Sequence, residues 1–141
     1  MPAPESSRRG AWGEAVAAEY LVREGWTLLG RNVRPCAANR RLEIDLIVCD
    51  RRRRVVVFVE VKQHACHQES ESLLRSIDRR KRRSLAAACR AWLAANRWRG
   101  EYRFDVVQVY GTPDDSRRPE IQHAKRVRMF APADRFVRWC D

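Results

Sequence analysis

Two runs of β-branched and aliphatic residues, 42–50 and 55–62, lie on either side of four consecutive arginines, Arg51, Arg52, Arg53 and Arg54. Val and Ile favour a pleated, half-buried surface, so the runs read as two antiparallel strands and the arginines as their turn. Side chains alternate between the faces of a strand. On the second strand Glu60 and Lys62 therefore share a face with Val56 and Phe58, while Val55, Val57, Val59 and Val61 take the other. On the first, Glu43 and Asp45 fall with Ile47 and Cys49, opposite Leu42, Ile44, Leu46 and Val48.

The rest of the chain is arranged around this hairpin. Residues 1–9 are rich in Pro, Ser and Arg and read as disordered. A helix is predicted over 11–24, ended by Gly25, with an apolar stripe of Ala11, Ala15, Ala18 and Val22. Glu14 sits beside that stripe, on the side of Ala17, Ala18 and Leu21, and Gly10 and Gly13 leave room there for another backbone or a ligand. A strand over 26–32 and a loop containing Pro35 lead into the hairpin. Residues 63–72 read as a polar loop, with Gln63 or His64 placed to reach a substrate phosphate. A second helix runs from an N-cap at Asp78 to about residue 96, burying Leu85, Ala88, Cys89 and Trp92. Reaching the next strand, 102–110, through a helix implies a crossover and parallel pairing. Beyond Gly111 come a loop, a short strand around Ile121 and an Arg-rich tail containing Trp139.

A chain of 141 residues suffices for one core. The expected division is a disordered 1–9, one domain over 10–130 and a basic tail over 131–141. The formal charge is +11, supplied mostly by arginine, and such a field favours polyanions, nucleic acid above all. An arginine-rich genome would give the same composition, so the positions of the charges have to decide. The five cysteines contain no Cys-x-x-Cys pair, which suits reduced thiols in a cytoplasm. The amino terminus lacks the apolar core of a signal peptide, and no stretch reaches the length of a membrane span.

Candidate chemistry concentrates at the hairpin. With the turn centred near Arg52, Asp45 falls within a residue of Glu60. Opposed residues stand roughly 5 Å apart at Cβ, close enough for two carboxylates to hold one cation. Without the cation, two acids so close resist joint ionisation. Arg79, Arg80 and Lys81 fill the first turn of the second helix, with Arg83 just behind. Cations there oppose the helix dipole, and a phosphate bound at the free N–H groups would offset that cost. The arginines of the hairpin turn are read as solvation. His64, Cys66 and His67 lack the partner pair that a zinc site needs. Asp105, set among Phe104, Val106 and Val107, calls for a buried partner.

An acid on one strand, then Glu-Val-Lys closing the next, resembles the PD-(D/E)xK nuclease signature. The chain is similar in particular to the YraN family within that superfamily. The resemblance rests on Gly-x-x-Gly-Glu at 10–14, Glu-Ile-Asp-Leu-Ile at 43–47, Phe-Val-Glu-Val-Lys at 58–62, a basic helix start at 77–83 and Phe-Asp-Val-Val at 104–107. Leu42 stands where a glycine is usual, Gln63-His64 replaces Thr-Arg, and the closing Ile-x-His stretch at 121–130 is spaced differently.

The resemblance implies an α/β fold with a restriction-endonuclease-like core, a mixed sheet of about four to five strands flanked by helices in the order α-β-β-β-α-β. It implies a metal-dependent nuclease, endo- or exonucleolytic, acting on DNA, structured or branched DNA included. Asp45 and Glu60 would hold Mg²⁺ or Mn²⁺, Glu14 would ligate or position the ion, and Lys62 would orient or deprotonate the attacking water. Arg79, Arg80, Lys81, Arg83 and Gln63 would contact substrate. Oligomeric state stays open, a homodimer included. A non-catalytic nucleic-acid-binding module of the same fold is the second reading. Only the enzyme needs the carboxylate pair.

Overall fold

The computed structural model of the chain describes residues 4–36, 42–66 and 79–129. The elements run α1 (Glu5–Arg23), β1 (Thr27–Val33), β2 (Ile44–Asp50), β3 (Val55–His64), α2 (Arg79–Ala95), β4 (Glu101–Tyr110) and β5 (Glu120–Ala124). The strands form one five-stranded sheet in the order β1-β2-β3-β4-β5. All neighbours pair antiparallel except β3 and β4, which are parallel along their whole length, from Val55 opposite Glu101 to His64 opposite Tyr110. The sheet is thus mixed and the class α/β, as the alternation of patterns predicts.

Among the described residues, one helix covers each face of the sheet. Leu46, Val48, Val55, Val57, Val59, Val107 and Val109 pack beneath Ala17, Ala18 and Leu21 of α1. Ile47, Cys49, Val56, Phe58, Phe104 and Val106 pack beneath Leu85, Ala86, Ala88, Cys89 and Leu93 of α2. The alternation expected along β3 holds throughout. At the entry to β2 it fails: Leu42 and Ile44 join Ile47 on the α2 side rather than Leu46 on the α1 side. Trp92, expected within the α2 stripe, sits at its edge with its ring perpendicular to Phe58 at 5.7 Å between centroids.

α1 departs from expectation in two respects. It begins at Glu5, inside the stretch whose composition reads as disordered, because Pro4 ends the preceding chain and Glu5 pairs with Arg9 one turn on. Its buried face is Gly13, Ala17, Ala18 and Leu21, whereas Val22 is 52% exposed. Glu14 is therefore on the face turned to the sheet, three residues before Ala17, on the side of Ala17, Ala18 and Leu21 as the sequence sets it. β3 also runs on through Gln63 and His64, where the polar pattern predicts loop. The long parallel ladder with β4 carries it there, and the Gly111 N–H closes it on the His64 carbonyl at 2.8 Å.

The hairpin turn is stabilised locally. The Asp50 carboxylate accepts from the N–H groups of Arg52 and Arg53, and Arg54 adopts a φ of 55°. All four turn arginines are exposed, in line with a solvating role. Cys49 and Cys89 are buried free thiols, Cys66 is an exposed one, and no helix among the described residues is long and apolar enough to cross a membrane. Asp78, His67 and the tail with Trp139 lie outside the described residues.

Candidate active site

The strand register brings the two hairpin acids together. Leu46 pairs with Val59 and Ile47 with Phe58, so the same register continued by one residue sets Asp45 opposite Glu60. The Asp45 Oδ2 accepts the Val61 N–H at 2.8 Å, which fixes its carboxylate at the end of the hairpin away from the arginine turn. Three other elements reach this end. α1 packs across it, with Gly13 so close that a Cβ there would meet the Gln63 Cβ at 3.0 Å, and this brings Glu14 in. The segment before β2 brings Glu43. Because α2 returns antiparallel to the strands it connects, its first turn brings Lys81.

One carboxylate oxygen from each of Glu14, Glu43 and Asp45 lies within 4.8 Å of the others. Oxygen ligands around one hard cation stand roughly 3 to 5 Å apart, so the donor set fits Mg²⁺ or Mn²⁺. Glu43 is the member that sequence reasoning leaves out, although its place two residues from Asp45 is an available signal. Arg34 holds it through Nε at 3.1 Å and Nη2 at 2.9 Å. Glu14 is hydrogen-bonded to Asn32, a residue with φ of 50° near the end of β1. Left-handed backbone of this kind is tolerated by asparagine, and here it turns a side chain toward the site.

The electrostatics are those of acids gathered without a counter-ion. Burial, then the Glu60 charge, push the Asp45 carboxyl up to about 7, with Glu14 adding and the Val61 N–H opposing. Burial likewise raises Glu14, with Glu43 and Glu60 adding and the Asn32 hydrogen bond opposing. A divalent cation would relieve both, which is a second respect in which the residues fit one.

Glu60, 7% exposed, adjoins this trio through a side-chain hydrogen bond with Asp45 and also meets two lysines. Its Oε1 lies 3.5 Å from Lys62 Nζ and 3.5 Å from Lys81 Nζ. Burial, then the Lys81 ammonium, lower the Lys62 pKa from its ordinary value against the pull of Glu60. Burial also acts to lower Lys81, but Glu60, Lys62 and Asp45 outweigh it and its pKa is raised. Lys81, expected among the substrate contacts, is thus placed within the carboxylate cluster.

The remaining expected residues divide. Arg80 and Arg83 are exposed on the first turns of α2. Arg79 opens the helix, its side chain outside the described residues. Gln63 does not point outward: it packs on Gly13 and donates its Nε2 to the Gly111 carbonyl at 2.6 Å, tying β3 to α1 and to the end of β4. His64 is engaged as well, bonded through Nε2 to Gln108 at 2.9 Å and stacked on Tyr110. Asp105 proves to be a buried structural acid of another region. It meets Arg103, the Arg126 N–H and His123, whose second ring nitrogen meets the Tyr20 hydroxyl.

The comparisons with known proteins agree on one assignment. The profile of the uncharacterised protein family UPF0102, the YraN family, matches residues 13–109, which include the four acids and both lysines of the cluster. A UPF0102 protein of Halorhodospira halophila is 43% identical over 116 residues, covering 79% of this chain and 88% of that protein. One from Mycobacterium tuberculosis is 40% identical over 121 residues, covering 84% and 90%, and one from Syntrophotalea carbinolica is 34% identical over 120, covering 81% and 85%. With a family profile over most of its length and relatives at this identity, the chain belongs to the UPF0102 family.

Proposed function

We propose that the protein is a metal-dependent nuclease of the PD-(D/E)xK type, acting on DNA. The observation that carries this reading is the convergence of Asp45, Glu60 and Lys62 with Glu14 at one end of the hairpin, beside the exposed arginines of the α2 start. Glu14, Glu43 and Asp45 would hold the cation, with Glu60 adjoining. Bound there, Mg²⁺ or Mn²⁺ supplies Lewis acidity at a phosphate oxygen and lowers the pKa of a coordinated water.

The chain's own groups account for the rest. Glu60 anchors Lys62 so that its ammonium is held beside the carboxylates. Held so, the Lys62 ammonium can orient an attacking water and offset charge building on the phosphate. Lys81, kept charged, stands ready to offset negative charge building on the phosphate. Arg80 and Arg83 supply diffuse attraction for the backbone on either side.

A panel of labelled single-stranded, duplex and branched DNA and RNA, with Mg²⁺, Mn²⁺ or EDTA, tests the reading. Cleavage is expected with either ion and not with EDTA; activity that survives EDTA sinks the metal mechanism. Asp45→Asn is expected to lose about 10²-fold or more in rate. In EDTA its DNA affinity should stay equal or increase, since one repulsive charge near the phosphate is gone. A folded Asp45→Asn that cuts normally, or binds markedly more weakly in EDTA, would show that Asp45 is not where the chemistry happens.

A further inference from the structure

We propose that Lys81 is a second lysine of the active site and that, with Lys62, it takes the place of a second metal ion at Glu60, so that the centre binds one divalent cation per chain. The proposal rests on the nuclease reading for what these charges do, while the ligand assignment stands on the geometry alone.

Glu60 is nearly shut off from water, at 7% exposure, and a carboxylate so buried needs opposite charge close by. It has two ammonium groups, each 3.5 Å from the same Oε1. Together they bring two positive charges, the same as one divalent ion. Meanwhile the oxygens that cluster within 4.8 Å come from Glu14, Glu43 and Asp45, and Glu60 is not among them. The acids thus differ in their partners: Glu14, Glu43 and Asp45 gather around one point, while Glu60, hydrogen-bonded to Asp45, has its Oε1 taken by two lysines. In two-metal sites the ions stand about 3.5–4 Å apart. A second ion at that distance, bridging Asp45 and Glu60, would have to displace ammonium groups anchored by a strand and by a helix. The N-terminus of α2 adds its own positive potential at the same place.

The side chain of Lys81 is 41% exposed, so its ammonium can meet Glu60 and still be reached by a phosphate from solvent. In a two-metal nuclease the second ion stabilises the leaving oxygen. Here that task falls to Lys81, whose position is set by the helix crossover rather than by an ion's coordination geometry.

The test is a count of bound Mn²⁺ by electron paramagnetic resonance on the full chain without nucleic acid, with folding checked by circular dichroism. Wild type and Lys81→Arg are expected to bind one ion per chain. Lys81→Met leaves Glu60 with a single ammonium, and is expected to take up a second ion or to bind the first about tenfold more tightly. Two ions in the wild type, or a folded Lys81→Met unchanged in both count and affinity, would overturn the proposal. Should Lys81→Met fail to fold, Lys81→Gln carries the same comparison. Cleavage assayed on the same samples separates the two readings. One ion per chain, a shifted Lys81→Met and no cleavage of any nucleic acid would leave the lysine assignment standing and remove the nuclease. Metal-dependent cleavage with two ions bound to the wild type would do the reverse.

Discussion

Asp45 is a carboxyl group held by the fold in a place where its charge is unwelcome. Burial and Glu60 raise its pKa from the ordinary 3.8 to about 7, so between those values the folded protein keeps a proton that the unfolded chain has lost. Stability must then fall as pH rises through that window. At about 1.4 kcal/mol per pKa unit, with some allowance for water at the site, the cost above neutrality is of the order of 2 kcal/mol. Asp45→Asn removes the charge while keeping an oxygen to accept the Val61 N–H, so in EDTA at about pH 8 the variant should melt at a higher temperature than wild type. The gap should narrow as pH falls and close below about pH 4, and it should reverse on adding Mn²⁺, which has a charge to meet only in the wild type. A variant that melts lower in EDTA at the higher pH would contradict the assigned environment of Asp45. The pairing of this residue with Glu60 was legible in the sequence, because turn length and a period of two fix which hairpin residues are opposed. Glu43 was less so, since its approach to Glu14 depends on where α1 docks and on Ile44 leaving the strict alternation.

At the level of elements, the placement of α1 is decided by a residue with no side chain. Gly13 lets the helix settle on the Cβ of Gln63, and Glu14, the next residue, enters the site because of that close approach. A helical Gly→Ala change ordinarily adds about 1 kcal/mol of stability through propensity. Here the new methyl would stand 3.0 Å from a Cβ locked in the β3 ladder, and overpacking of this kind costs roughly 1–3 kcal/mol. The clash should win: Gly13→Ala is expected to lower stability in urea denaturation and to weaken Mn²⁺ binding as Glu14 is lifted away. Gly10, which has nothing within 4 Å, is the comparison, and Gly10→Ala should be neutral or stabilising. Sequence pattern located both helices and the parallel fourth strand, yet it chose the wrong stripe on α1. An alanine-rich helix offers several faces of similar hydrophobicity, and the one buried is selected by the close approach at Gly13 and the bulk of Leu21. The extension of β3 through Gln63 and His64 was likewise hidden, because polar residues lengthen a strand only when a neighbour as long as β4 is there to pair with them.

The whole molecule is held by two charge arrangements of opposite character. The inner one is Asp105, 1% exposed, which receives hydrogen bonds from His123 at 2.7 Å, the Arg126 N–H at 3.0 Å and Arg103 at 3.1 Å, joining β4 to β5, with Tyr20 extending the network to α1. Burial alone would raise its pKa, but these bonds outweigh it and the carboxyl ends below its ordinary value. Its contribution is therefore present above the usual carboxylate range and lost as pH falls through the folded value, the reverse of Asp45. Asp105→Asn should cost about 3–5 kcal/mol in urea denaturation at neutral pH, with the deficit shrinking below about pH 4. The outer arrangement is the net charge of +11, which by itself predicts salt-sensitive attraction to any nucleic acid. Position separates solvation from substrate binding. Arg80 and Arg83 lie on the first turns of α2, next to the carboxylate cluster, whereas Arg52 and Arg53 lie in the turn at the far end of the hairpin, roughly 17 Å along strands that rise 3.3 Å per residue. For a duplex, every phosphate that the protein no longer neutralises makes the slope of log K against log salt shallower by about 0.9. Arg80→Ala with Arg83→Ala should flatten that slope by about one to two, and Arg52→Ala with Arg53→Ala should change it less. Anisotropy titrations in EDTA over a series of salt concentrations measure both. Equal slopes for wild type and the α2 double variant would assign the helix start to solvation and leave the substrate to be held elsewhere.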